Sequence, residues 1–321
     1  MKVKVNDGVQ EHRVAYLALA AVCLFWGTTY LGIRIALESF PPVYLIAIRY
    51  TISGSILLAV AALGGFHLPR GRELVLSALC GAICIGIGNG FLAIAEVQIP
   101  SGLAAVFYTT APFWMVGLDA FLPQGRRPSL LTVGGLSVGL LGVVYLIFPA
   151  AHHEGAGGHT VSGFLLLQIS AAGWVLGSLL QKRVKVSALP FVIGAVQQLA
   201  AGLVMFVPAA LLEKLPSSIS LRSEWAVIYL VFFGSIIGFT SFIYSMTHLP
   251  VPIVSIYTFV NPVVAILLGW AFFREPFGIR ELIAMLIIFG GIALVRWSER
   301  NRHGPMPAPA PDEAAVATEP V

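Results

Sequence analysis

The sequence predicts an all-α integral membrane protein of ten transmembrane helices, arranged as two five-helix inverted repeats. Three observations carry this expectation. The chain is 58% hydrophobic and 11% charged with a mean hydropathy of +0.89, which leaves too little polar area to cover a soluble globule. Apolar runs of about 20 residues, enough to cross roughly 30 Å of hydrocarbon, recur along its length. Finally, the segment from Pro100 to Pro112, PSGLAAVFYTTAP, shares its layout with the segment from Pro250 to Pro262, PVPIVSIYTFVNP, at an offset of 150 residues.

The apolar runs fall at about 15 to 37, 42 to 63, 74 to 95, 101 to 122 and 129 to 148, then at about 161 to 181, 189 to 212, 225 to 247, 252 to 273 and 278 to 297. The first is read as a membrane helix rather than a cleaved leader, because Trp26 and Tyr30 stand where a small-residue cleavage site would be. This divides the chain into an N-terminal segment 1–14, a first repeat 15–148, a linker 149–160, a second repeat 161–297 and a tail 298–321. The tail is Pro- and Ala-rich beyond Arg302 and is expected to be disordered.

The first two runs of each half also correspond, at an offset of 148: Trp26 with Trp174, Arg34 with Lys182, Pro42 with Pro190 and Gly54 with Gly202. Five is odd, so the second copy enters the bilayer from the opposite side, and the repeat is inverted. Charge orients the whole. With both termini cytoplasmic, only Lys214, Arg222, Arg274 and Arg280 of the 19 basic residues lie in outer loops, as the positive-inside rule requires.

The Pro-bounded segments point to the site. A proline inside a helix forfeits a backbone hydrogen bond at about 3 kcal/mol in water, and paired interruptions in two halves of a membrane chain mark a transport site. Other classes lack their signatures. The basic residues form no stripe for nucleic acid, and the spans hold neither a catalytic constellation such as HExxH nor the charge rings or filter repeat of a channel. Cys23, Cys80 and Cys84 all sit in apolar runs and make a poor disulfide framework. His152, His153 and His159 have only Glu154 as a further ligand and read as a solvated linker. No metal and no cofactor are expected.

Several residues together carry a family resemblance: WGTTYLGIRIAL in the first span, PPVYLIAIRYTISG entering the second, the two Pro-bounded segments, and FFREP after the ninth. They resemble the EamA family of the drug/metabolite transporter superfamily over nearly all of the chain outside residues 1–14, the linker and the tail. The resemblance implies two inverted bundles around a central cavity, with the fifth and tenth spans peripheral. It also implies export of small metabolites or amino acids from a bacterial inner membrane, with import or exchange by the same fold as the alternative. One departure stands out: the family often has an acidic residue after both the fourth and ninth spans, but FLPQGRRP lacks the counterpart of Glu275. Glu275 is therefore read as a loop or capping residue.

Candidate site residues are drawn from the polar positions within the spans. Trp26, Tyr30 and Arg34 recur every four residues on one helical face, with Trp174, Ser178 and Lys182 as their counterparts. Arg34 and Lys182 would lie at opposite mouths, either attracting acidic substrates or snorkelling to headgroups. Asn89, Tyr108, Tyr244, Tyr257 and Asn261 could bond substrate and enclose its apolar parts, while hydroxyls and small residues also serve to pack helices. Arg49 lies about eight residues into its span, where a charge costs about 2.5 to 3.5 kcal/mol on insertion scales. Glu96 is the expected partner, a substrate carboxylate the functional alternative, and the repeat counterpart is the neutral Gln197. Asp119 shares a face with Tyr108, Pro112 and Met115 and has two readings: a proton-coupling carboxyl, or an anchor held by Arg126 and Arg127. The partners expected are thus a small-molecule substrate, the lipid bilayer and, through Asp119, a proton.

Overall fold

Hydrocarbon offers the backbone no hydrogen-bond partners, so a spanning segment must satisfy its own amides. The chain does so with helices. The structure, a computed structural model, describes residues 3–122, 128–151, 157–249, 251–254, 257–275 and 278–303, and no strand occurs among them. The linker residues His152, His153 and Glu154, the pair Arg126 and Arg127, and the tail beyond 303 lie outside the described residues.

In chain order the helices are α1 (Val3–Ala36), α2 (Pro42–Leu63), α3 (Gly71–Gly81), α4 (Gly88–Gln98), α5 (Ser101–Tyr108), α6 (Ala111–Phe121), α7 (Leu130–Ala151), α8 (Gly157–Gln181), α9 (Pro190–Leu212), α10 (Leu221–Tyr229), α11 (Gly238–His248), α12 (Val251–Val254), α13 (Tyr257–Phe273) and α14 (Ile279–His303). A π-helical stretch, Ala82–Ile87, joins α3 to α4, and a second, Leu230–Ile237, joins α10 to α11. Among the described residues, seven stretches are long and apolar enough to cross a bilayer: Arg13–Ala36, Pro42–Leu63, Gly71–Gln98, Ser101–Phe121, His159–Gln181, Pro190–Leu212 and Leu221–Met246. Leu130–Tyr145 and Val260–Phe273 are shorter apolar helices. Leu63, Phe121 and Leu130 are each at least 90% exposed, which suits a surface solvated by lipid.

Several helices begin earlier than hydropathy alone suggests. α1 starts at Val3, α3 at Gly71 and α10 at Leu221, because their first turns are polar, and polar first turns are invisible to an apolar-run criterion. Ser220 supplies the N-cap of α10, its Oγ accepting from the Ser223 amide at 3.2 Å. α2 and α9 both open with a proline at the first turn, where the absent N–H costs nothing.

Helix α2 packs along α9 in the most extensive pairing, followed by α7 with α14; α4 on α8 and α1 on α11 form a further matched pair. Glycines set the closest approach. A Cβ on Gly54 would stand 2.3 Å from the Leu199 amide nitrogen, and one on Gly202 would stand 2.3 Å from that of Thr51. Each helix therefore presses its backbone into a notch on the other, as small residues allow in membrane helices. Gly135 and Gly291 do the same for α7 and α14.

Carboxylates tie segments distant in sequence at the helix ends. Glu213 accepts from the amides of Val43 and Tyr44 at 2.9 Å each, at the start of α2. Glu73 accepts from the amides of Ser187 and Ala188 at 2.8 and 3.1 Å, just ahead of α9. Glu275 takes the first amides of α5, Ser101 at 2.8 Å and Gly102 at 3.0 Å, together with the Ser101 hydroxyl at 2.9 Å. Orphan N–H groups and the helix dipole both favour an anion there. Glu275 is thus a capping residue, and Gly269 leaves it room, since a Cβ there would lie 2.3 Å from the carboxylate.

The two Pro-bounded segments differ in detail. α5 stops at Tyr108 and α6 restarts at Ala111, with Thr109 and Thr110 turning their hydroxyls back onto the Val106 and Phe107 carbonyls at 2.6 and 2.8 Å. The same carbonyls also accept the Thr109 and Thr110 amides at 3.1 and 3.2 Å, so the turn is closed by backbone and side chain together. Pro262, in contrast, sits inside α13, which continues to Phe273.

Two stability outcomes are expected. Gly54→Val should destabilise the detergent-purified protein by about 1–3 kcal/mol or more, read as a lowered thermal midpoint, whereas Gly290→Val, where a side chain meets nothing, should leave the midpoint within about 0.5 kcal/mol of wild type. Glu275→Ala should cost roughly 1.5–3 kcal/mol, the range for hydrogen bonds to a charged group, with Glu275→Gln intermediate; equal midpoints for all three proteins would show that the cap contributes nothing.

Candidate functional site

The interior polar surface gathers where α1, α2, the two π stretches, the α5–α6 break, α8, α9 and α13 meet. They enclose a cavity of about 130 Å³. Aromatic rings form much of its wall: Trp26, Tyr30, Tyr50, Tyr108, Trp174, Phe239 and Tyr257. Trp26 meets Trp174 edge to face with centroids 6.1 Å apart, and Tyr257 likewise at 5.3 Å. Its indole Nε1 donates to the Gly234 carbonyl at 3.1 Å, fixing the ring. Such pairs prefer T-shaped geometry because the ring edge is positive and the face negative.

Polar groups interrupt this apolar wall. Thr29, Arg49, Asn89, Thr109, Gln198, Ser235, Thr258 and Asn261 all line it. A π stretch holds one extra residue per turn and re-aims the side chains beyond it; the first precedes Asn89, and the second contains Gly234 and Ser235. Asn261, with its amide turned to suit its neighbours, donates to the Tyr257 and Cys23 carbonyls at 3.1 Å each.

Arg49 is the one charged residue among the described residues of the wall. It is buried, its Nε donates to Ser235 Oγ at 2.8 Å, and its guanidinium carbon lies 4.7 Å from the centroid of the Tyr50 ring. Gly234 leaves space for it: a Cβ there would lie 2.8 Å from Arg49 Nη2. The expected ion pair with Glu96 does not form. Both Glu96 carboxylate oxygens are buried without a hydrogen-bond partner, and the residue's link to a cation is through its backbone carbonyl, which accepts from Arg34 Nη1 at 2.6 Å. Depth along the helix axis, the basis of the expectation, does not specify which way a side chain faces.

The sequence candidates therefore separate. Trp26, Tyr30, Arg49, Asn89, Tyr108, Trp174, Tyr257 and Asn261 share the cavity wall. Ser178 instead bonds the Trp174 carbonyl at 2.7 Å and stands 3.5 Å from Cys84 Sγ, and Tyr244 stacks on His248 with centroids 4.0 Å apart. Lys182 is exposed and Arg34 half-buried. Asp119 pairs with Arg183 at 3.5 Å rather than facing the cavity, a partner from α8's end that helical-face arithmetic on α6 could not supply. Gln197, the repeat counterpart of Arg49, bonds Gln181 at 2.9 Å, while its neighbour Gln198 faces the cavity. Gln198, Ser53 and Ser235 escaped the sequence reading, although Ser53 lies one helical turn beyond Arg49, and that spacing was the available signal.

Lipid-facing helices around a walled, partly polar cavity are the makeup of a membrane transporter. Residues 13–148 and, again, 161–297 match the model of the EamA-like transporter family. The "uncharacterized inner membrane transporter YedA" of Escherichia coli K12 is 34% identical over 283 residues, covering 87% of this chain and 89% of that protein. A WAT1-related chloroplastic protein of Arabidopsis thaliana is 26% identical, over 89% of this chain and 70% of its own. A crystal structure 24% identical shares the fold, with a TM-score of 0.63 over 89% of this chain and 99% of that one. The chain belongs to the EamA-like transporter family, and it is a membrane transporter.

If the cavity takes up solute from water, single cysteines replacing Tyr108 and Tyr257, in a variant whose three native cysteines are alanine, should react with a water-soluble maleimide from one face or the other. Complete protection of both positions from both faces would place the substrate path elsewhere.

Proposed function

We propose that the protein is a secondary-active exporter of small metabolites or amino acids, working by alternating access in a bacterial inner membrane with both termini cytoplasmic. On this reading residues 15–148 and 161–297 are inverted five-helix repeats, and the halves rock about the cavity between them. The observation that carries it is that one cavity draws its wall from both halves, at corresponding places: Trp26 with Trp174, and Tyr108 with Tyr257 and its neighbours. The double family match and the paired helix contacts support the same reading. Orientation rests on the distribution of Lys and Arg, and export on the family.

The carboxylate ties fit such a cycle. In this orientation Glu213 and Glu275 hold the outer end and Glu73 the inner one. The position corresponding to Glu275 is Gly125 by sequence, which has no side chain to offer, so among the described residues the inner end has the fewer ties of this kind. That imbalance favours a resting state that opens toward the cytoplasm, where an exporter loads.

The test is a screen of metabolites for thermal stabilisation, where a ligand at 100 times its dissociation constant adds about 2.7 kcal/mol, and then flux of each hit in proteoliposomes. Saturable counterflow, reduced at least about tenfold by Trp26→Ala, is expected. Flux that never saturates would indicate a channel, and hits that bind without moving would remove the transport reading of this cavity.

A further inference from the structure

Two hydrogen-bond donors on the cavity wall are left without partners. Arg49 Nη1 is buried and has no acceptor, and Gln198 Nε2 is in the same condition. Both residues are more than nine-tenths buried and both line the cavity. Buried polar groups are nearly always paired, and leaving a charged one unpaired is costly. Two residues of one wall thus each hold a donor that lacks an acceptor.

They are also held in place. Gln198 Oε1 accepts from Ser53 Oγ at 2.6 Å, which commits the oxygen and leaves the amide nitrogen to donate. Arg49 is fixed by its bond to Ser235. Ser53 and Arg49 lie one turn apart on α2, and the glycine crossing with α9 brings Gln198 against that turn. Glu96, the carboxylate expected to neutralise Arg49, makes no ion pair with it and is not part of the wall.

Resting on the transporter reading of the cavity, we propose that its substrates are monocarboxylates with an apolar or aromatic body, the carboxylate accepting from Arg49 Nη1 and Gln198 Nε2. A single guanidinium balances a single negative charge, and the described wall offers no second cation for a phosphate dianion. A guanidinium and a primary amide present N–H groups that suit the two oxygens of a carboxylate. The body of the substrate lies among Trp26, Trp174 and Tyr257, whose rings accept a flat apolar group.

The experiment measures thermal stabilisation of the detergent-purified full-length protein by benzoate, indole-3-acetate, phenylpyruvate and N-acetylphenylalanine, each beside its primary amide. Inorganic phosphate and dihexanoyl-phosphatidylglycerol are included as anions of other origin. At least one acid should bind about tenfold or more tightly than its amide, and Arg49→Gln and Gln198→Glu should abolish the difference, the latter by placing a competing carboxylate beside Arg49. Should Arg49→Gln fail to fold, Gln198→Glu alone decides. The proposal is overturned if no acid stabilises at 10 mM, on the order of the weakest affinities worth measuring, if amides bind as well as acids, if phosphate or the phospholipid protects in place of the carboxylates, or if Gln198→Glu binds acid unchanged. An acid that binds as described but is not moved in proteoliposomes supports the anion site and counts against transport instead.

Discussion

Where α2 crosses α9, two helix backbones press directly against each other. Gly54 on α2 and Gly202 on α9 each admit the other chain where any side chain would collide with an amide nitrogen. Much else depends on this crossing. It brings Ser53 to Gln198, places Arg49 beside the shared wall, and leaves the aromatic rings of α1 and α8 to close the cavity from either side. Lipid tails are as apolar as leucine, so no hydrophobic gain favours one helix arrangement over another within the bilayer. Close packing and interhelical hydrogen bonds must do so.

The helix ends solve a complementary problem. A helix start leaves amides without partners in the helix, and three glutamates far away in sequence supply acceptors near such starts. At the α5–α6 break the contacts are local, with the Thr109 and Thr110 hydroxyls donating back to carbonyls of the preceding turn. That break lies on the cavity wall, where membrane proteins tolerate irregular backbone.

Much of this was legible in the sequence. Hydropathy alone identifies a helical membrane protein, and matching prolines and tryptophans at constant offsets direct attention to Trp26, Trp174, Tyr108 and Tyr257, which stand together around one cavity. Pairing was harder to read. Arg49 and Glu96 match in depth, but depth is one coordinate of three, and the guanidinium turns instead to Ser235, inside a π stretch that no propensity announces. Asp119 meets Arg183 for the same reason: a contact between helices depends on rotation and tilt, which a periodic pattern within one helix does not contain. Gln198 was hidden by its neighbour, since two adjacent glutamines face directions about 100° apart on a helix and only the packing of α9 on α2 selects which one turns inward.

The π stretches have a consequence for phase. Each inserts an extra residue into an otherwise α-helical ladder, so everything C-terminal to Ile87 or to Ile237 is rotated by about 100° from where an uninterrupted helix would carry it. Asn89 and Phe239 reach the cavity on the far side of those offsets. Removing a single residue from either stretch would restore a regular ladder while turning an entire half-span to a different neighbour. A shorter chain could thus have better helices and a different interior.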